Sequence, residues 1–194
     1  MKDVFQVLKF IALIVIVIGF LKITGLKSTV NSSVQKLALN TGFLNVNPKV
    51  GKTRPDFDYN FNIKDLSGNT IPFSTYKGKV VFINIWATWC GPCRAEMPGI
   101  QSLSEKLNNQ AVEFVMLSQD RPADLPKVRS YLDKYQFTFP VYLPHGNLPE
   151  QVRVPSIPTT FVIGKDGKVL LKEVGTRNYD TKKMMNFLIE QSKL

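Results

Sequence analysis

Two kinds of apolar pattern divide this chain. "FIALIVIVIGFL", residues 10–21, is apolar without a break and stands between Lys9 and Lys22. From Phe57 onward the apolar stretches shorten and take on strand or helix periods. "FDYNFNIK" (57–64) alternates like a strand, and "DLSGNT" (65–70) carries turn residues. "KVVFINIWA" (79–87) is the β-branched, nearly continuous run of a central strand covered on both faces. "CRAEMPGIQSLSEKLNN" then shifts to helical spacing, with Met97, Ile100, Leu103 and Leu107 on one face. Pro98 inside it removes a backbone hydrogen bond and predicts a kink one turn after the cysteines.

"AVEFVMLSQ" (111–119) reads as a second buried strand. "PADLPKVRSYLDKYQ" (122–136) reads as a helix with Leu125, Val128, Tyr131 and Leu132 as its apolar face, and "TFPVYL" (138–143) as a strand. A proline-punctuated loop over 144–158 leads into the hairpin "TTFVIGKDGKVLLKEVG" (159–175), turned at Asp166-Gly167. The last helix, "YDTKKMMNFLIEQSKL" (179–194), offers Met184, Met185, Phe187, Leu188 and Leu194 for burial. Strands interleaved with helices predict an α/β core.

Three regions follow: residues 1–26, a connector over 27–54 with Ser, Asn, Pro and Gly punctuation, and a compact domain over 55–194. Twelve apolar residues at about 1.5 Å each span about 18 Å, short of the roughly 30 Å hydrocarbon core. A helix from Val4 to Leu26 reaches across if Lys9 and Lys22 lay their stems along it and place their ammonium groups at the two interfaces. The segment is read as an uncleaved transmembrane anchor. A cleaved signal peptide competes, but only "KITGLKS" follows, with no A-x-A-like site. A buried helix of a soluble protein is the third reading. Lysines balance on the two sides, so charge does not orient the segment.

The net charge of +10 is consistent with a membrane-proximal protein. Half of it comes from six lysines against one aspartate in the first fifty residues. In the remainder, basic and acidic residues interleave, and no basic stripe carries aromatics placed for base stacking, so no nucleic-acid partner is expected. Lys77, Lys79, Arg94 and Arg153 read as solvated, and His145 as a loop histidine.

The chain has two cysteines, in Cys90-Gly91-Pro92-Cys93. Structural zinc wants about four ligands; this pair supplies two, and the one histidine is more than fifty residues away, so no metal is expected. A purely structural disulfide would close a very small loop and remove little unfolded-chain entropy. Redox chemistry fits the position better. Cys90 falls where strand passes into helix, so free backbone N–H groups and the helix dipole lower its thiol pKa and make it the nucleophile. Pro92 suits the first helical turn. Cys93, one turn further in, is placed to resolve a mixed disulfide at Cys90.

"WATWCGPCRAEMP", the downstream "SIPTTFVIGKDGKV" and the N-terminal apolar segment together resemble the thioredoxin superfamily. The likeness is to its membrane-anchored, extracytoplasmic branch, the TlpA/ResA-like thiol-disulfide oxidoreductases, and it extends over roughly residues 55–194. It implies a thioredoxin-like fold, a central mixed β-sheet flanked by helices, with an N-terminal transmembrane helix. It implies a cis Ile157-Pro158 bond with Pro158 opposite the cysteines and the Ile157 backbone open to an extended substrate. Trp89, Gly91, Pro92, Ile157, Pro158 and Gly175 would form the docking surface. Trp86 fits either that rim or plain core packing.

Thioredoxins resemble this chain along "VFINIWA" but carry a buried aspartate where Asn84 stands, and Asn84 cannot titrate. Glu96, three residues after Cys93 on roughly the same helix face, matches the glutamate that tunes the cysteines in the ResA-like branch. A surface acid is its plain alternative.

The resemblance implies an enzyme with no cofactor beyond the Cys90–Cys93 disulfide. Its implied partners are envelope proteins with disulfides, apocytochrome c among them as in cytochrome c maturation, and a membrane thiol donor. Its implied location is the extracytoplasmic side of the cell membrane. An oxidase or isomerase of the same fold, or a non-redox binding module, are the other readings. A peroxiredoxin-like peroxidase would carry proline and a hydroxyl residue where Ile83 and Ala87 stand.

Overall fold

The computed structural model describes Leu39 and residues 41–51, 53–108 and 110–194. The proposed anchor at 1–26 lies outside them. Among the described residues no helix is long and apolar enough to cross a membrane.

The strands are β1 (Asn62–Asp65), β2 (Thr70–Pro72), β3 (Val80–Trp86), β4 (Val112–Ser118), β5 (Val141–His145), β6 (Thr159–Ile163) and β7 (Val169–Val174). The helices are α1 (Gly91–Lys106), α2 (Leu125–Tyr135) and α3 (Lys182–Lys193). They form one mixed sheet in the order β2-β1-β5-β4-β3-β6-β7, with β3, β4 and β5 parallel and the rest antiparallel. This is the expected α/β architecture, with β3 near its middle.

All seven residues of β3 are buried, and the two-residue period sorts them onto two faces. Val80, Phe82 and Trp86 join a core with Met97, Ile100, Leu103 and Leu107 of α1, Val128 and Leu132 of α2, and Met184, Phe187 and Leu188 of α3. Both parallel crossovers, α1 and α2, therefore pack on the same face, as right-handed connections moving in one direction along a sheet require. Val81, Ile83 and Ile85 face the other way into a layer of Phe57, Tyr59, Phe61, Phe73 and Tyr76, where Phe61 and Phe73 stack at 4.4 Å.

Several boundaries differ from the sequence reading. Residues 57–61 lie before β1 and form no strand: Phe57 N–H donates to Gly167 O, Phe61 N–H turns back to Tyr59 O, and Phe61 O accepts from the N–H of Phe73, which opens a short 3-10 helix after β2. The short β2 follows the 65–70 turn. His145 ends β5 opposite Asn62 and is not a loop residue. Leu194 is 83% exposed because α3 has ended before it, while Met185 is half-buried. Helix α1 continues through Pro98, which deprives Arg94 O of its usual donor.

Candidate active site

Strand β3 ends at Trp86, and the next four residues deliver Cys90 to the start of α1. Cys90 N–H donates to Ala87 O at 3.1 Å. Asp120, buried just after β4, accepts from Thr88 N–H at 2.9 Å, from its hydroxyl at 2.6 Å and from Ser118 Oγ at 2.7 Å. Sequence reasoning misses this clamp; an aspartate at a strand end carries no mark of its partner.

Cys90 is the N-cap of α1, in extended conformation, with Pro92 in the first turn. Its Sγ accepts from Cys93 N–H at 3.2 Å and is joined to Cys93 Sγ in a disulfide. An N-cap sulfur that takes a helix N–H is where the helix field stabilises negative charge, so the reduced Cys90 is the better thiolate. Cys93 is fully buried and Cys90 nearly so.

Ile157-Pro158 is cis, and Ile157 O lies 3.8 Å from Cys90 Sγ. Pro158 is buried, and its carbonyl accepts from Gly175 N–H at 2.9 Å. Gly175 has φ +84°, a conformation that strains a side chain. No hydrogen bond within the described residues engages the Ile157 N–H. Trp89 is 70% exposed beside the cysteines, whereas Trp86 is wholly buried, which settles it as core. Gly91 is exposed and Pro92 half-buried. Arg94 is exposed, with its guanidinium 5.5 Å from the Tyr131 ring centre.

Glu96 is 2% exposed, so it is no surface acid. Asn84 Nδ2 donates to its Oε1 at 2.7 Å and to Thr160 Oγ1 at 2.9 Å, and Arg177 N–H donates to its Oε2 at 3.1 Å. Burial pushes its carboxyl up to about 8, against the pull of the Arg177 and Asn84 hydrogen bonds. Tyr179, buried close by, is raised well above its ordinary range, first by burial and then by the Glu96 charge. A carboxyl poised near neutrality, one helical turn after the buried cysteine, is suited to carrying that cysteine's proton. Sequence reasoning also misses Thr160, Arg177 and Tyr179; the Arg177 contribution is a backbone donor, which residue type does not reveal. Among the described residues no cluster of His, Cys, Asp and Glu could hold a metal.

A parallel-centred mixed sheet, a Cys-x-x-Cys at a helix start and a cis-proline against it define a thioredoxin-like thiol-disulfide oxidoreductase. Residues 50–172 match the AhpC/TSA family, and the chain belongs to it. It is 38% identical over 128 residues to the thiol-disulfide oxidoreductase ResA of Bacillus anthracis, covering 66% of this chain and 70% of that one. It is 36% identical over 139 residues to the thioredoxin-like protein YneN of Bacillus subtilis (strain 168), covering 70% and 75%. A crystal structure from Chlorobium tepidum, assigned as a DsbE thiol:disulfide interchange protein, superposes with a TM-score of 0.58 at 29% identity, covering 75% of this chain and 99% of that one. The chain is thus a thiol-disulfide oxidoreductase of ResA type. Ile83 and Ala87, the positions a peroxidase would fill with proline and a hydroxyl residue, are buried apolar residues.

Proposed function

We propose that this enzyme is a reductase of protein disulfides, anchored by residues 1–26 with its domain on the extracytoplasmic side of the membrane. The single observation that carries the chemistry is Cys90 Sγ at the N-cap of α1, within 3.2 Å of the Cys93 N–H and 3.8 Å of Ile157 O. A substrate segment adds as a strand along the Ile157 backbone, with Trp89, Gly91, Pro92 and Gly175 around it. The Cys90 thiolate attacks one sulfur of the substrate disulfide, and the other substrate sulfur leaves as a thiolate. Glu96 in its ionised form takes the proton from Cys93, whose thiolate attacks Cys90 Sγ and expels the second substrate sulfur. One substrate disulfide becomes two thiols as the dithiol becomes the Cys90–Cys93 disulfide.

Gly91-Pro92 between the cysteines, as in reducing members of the superfamily, supports the reductive direction. The unbroken apolar run at 10–21, with a lysine at each end, supports the anchor. A domain outside the cytoplasm would draw its two electrons from a membrane dithiol, since an oxidising compartment supplies none. The likeness to ResA favours envelope proteins as substrates, with apocytochrome c maturation as the process. The test is a Cys93→Ala trap in cells. We expect an envelope protein held at Cys90 by a mixed disulfide; a Cys90 that captures no partner contradicts the reading.

A further inference from the structure

The loop between β7 and α3 holds Glu96 on one side and is itself held on the other. Arg177 supplies the N–H on Glu96 Oε2, and Thr176 Oγ1 donates to Pro92 O at 3.2 Å, fixing the loop to the first turn of α1. The next residue, Asn178, is gripped by the connector. Its N–H donates to Leu44 O at 2.8 Å, its carbonyl accepts from Val46 N–H at 3.1 Å, and its Nδ2 donates to Asn45 Oδ1 at 2.8 Å. This is a parallel bridge between Asn45 and Asn178. Val46 is buried in the same core cluster as Cys93, Met97 and Tyr179, which anchors the connector beyond the reach of hydrogen bonds alone.

The two segments also share a cavity of about 620 Å³. It is lined by Gly42 and Asn45 of the connector, by Arg177, Asn178 and Asp180 of the loop, and by Glu96. The cavity thus reaches Glu96 on the side that the connector borders, while Glu96 itself stays only 2% exposed.

We propose that Leu44–Val46 is a positioning element of the active site: it pins the Arg177–Asn178 loop over Glu96 and limits water at that carboxyl. The consequence is a mechanical link between the segment leading to the N-terminal apolar run and proton transfer at Cys93. The proposal rests on the reading of Glu96 as the proton carrier. The titratable and charged groups around Glu96 are Cys93 on its own helix, Tyr179, and Arg177 with Glu173 on its guanidinium at 2.9 Å. Asp180, held by Ser102 and Lys106, lines the same cavity.

The full-length chain in nanodiscs is the material for the test, with the Glu96 carboxyl followed by infrared titration and assigned by its absence in Glu96→Gln. Asn45→Ala removes the exposed side-chain bond, and Val46→Pro removes the donor to Asn178 O. Each loosens the loop and admits water, so each should lower the Glu96 midpoint by about half a pH unit or more, because burial is the main cause of its raised value. Asn45→Asp keeps the acceptor and adds a negative charge to the cavity shared with Glu96, so its midpoint should not fall below the wild type. An unmoved midpoint in Asn45→Ala and Val46→Pro, with only thermal stability reduced, overturns the proposal. If instead the midpoint moves but Glu96→Gln exchanges disulfides with the wild-type pH profile, the docking stands and the assignment of Glu96 as proton carrier falls.

Discussion

Cys90 Sγ lies 3.8 Å from the carbonyl oxygen of Ile157, a residue sixty-seven positions downstream. Neither residue makes this contact from local structure. The antiparallel pairing of β6 with β3 sets Thr159 opposite Ile85, and this brings the residues just before β6 to the helix start that follows β3. One side of the cysteine pair is thereby lined with main chain, and a main-chain acceptor beside a reactive sulfur suits substrates that are polypeptides.

Trp89 stands next to that contact, largely in solvent, and contributes little to the core. Trp89→Ala should therefore leave the melting temperature nearly unchanged. It should lower kcat/KM for a protein disulfide by about tenfold, the loss typical of an exposed aromatic anchor at an interface. Exchange with a small disulfide such as oxidised dithiothreitol should change by no more than about twofold. Equal losses on both substrates would show that Trp89 shapes the dithiol rather than the docking surface.

The raised Glu96 carboxyl makes stability depend on pH. The folded oxidised protein keeps a proton on Glu96 up to about pH 8, whereas the unfolded chain releases it near 4.5. Where the folded state binds more protons, stability falls as pH rises. The contribution is therefore complete below about pH 4.5 and lost by the time pH has passed 8. At about 1.4 kcal/mol per pKa unit, the full loss is roughly 5 kcal/mol. Glu96→Gln should flatten this slope and gain on the wild type above pH 8, as read from denaturant unfolding of the oxidised forms at pH 5, 7 and 9. Parallel slopes in the two proteins would place the Glu96 midpoint near an ordinary carboxyl.

The face of the sheet away from the helices is carried by aromatic side chains from residues before β3. Phe73 is fully buried there between Phe61, Tyr76 and Phe57. Phe73→Ala should cost about 3–5 kcal/mol of stability, as large-to-small changes at buried aromatics do. Cys90 reactivity at pH 7 should be unchanged in the protein that remains folded. A loss below about 1 kcal/mol would mean that this layer is dispensable.

How much of this was legible in the sequence follows from what each feature depends on. The β3 run, the α1 face of Met97, Ile100, Leu103 and Leu107, and the hairpin at Asp166-Gly167 declare themselves by period and turn chemistry, which act locally. The three residues of β2 are too few to show a period, and they contain a proline. The stretch 57–61 alternates like a strand yet bonds to the Gly167 turn and to the 3-10 helix at Phe73, because its partners are set by the tertiary fold. Cys90 and Cys93 could be picked out because side-chain type carries their chemistry, and Glu96 by its place three residues after Cys93 and its match to the glutamate of the ResA-like branch. The Arg177 N–H and the clamp of Asp120 on Thr88 could not, since any residue has a backbone N–H and any buried acid can find a hydroxyl.

Whether Cys90–Cys93 is a reducing dithiol is read most directly from its reduction potential. The measurement equilibrates the enzyme with glutathione and dithiothreitol buffers and counts free thiols at Cys90 and Cys93 by alkylation and mass spectrometry. Thioredoxin lies near about −270 mV and the oxidant DsbA near about −120 mV. We predict a value below about −220 mV, on the thioredoxin side of that scale. A value above about −180 mV, with transfer of the disulfide to unfolded thiols, would contradict the reductase reading and make the enzyme an oxidase.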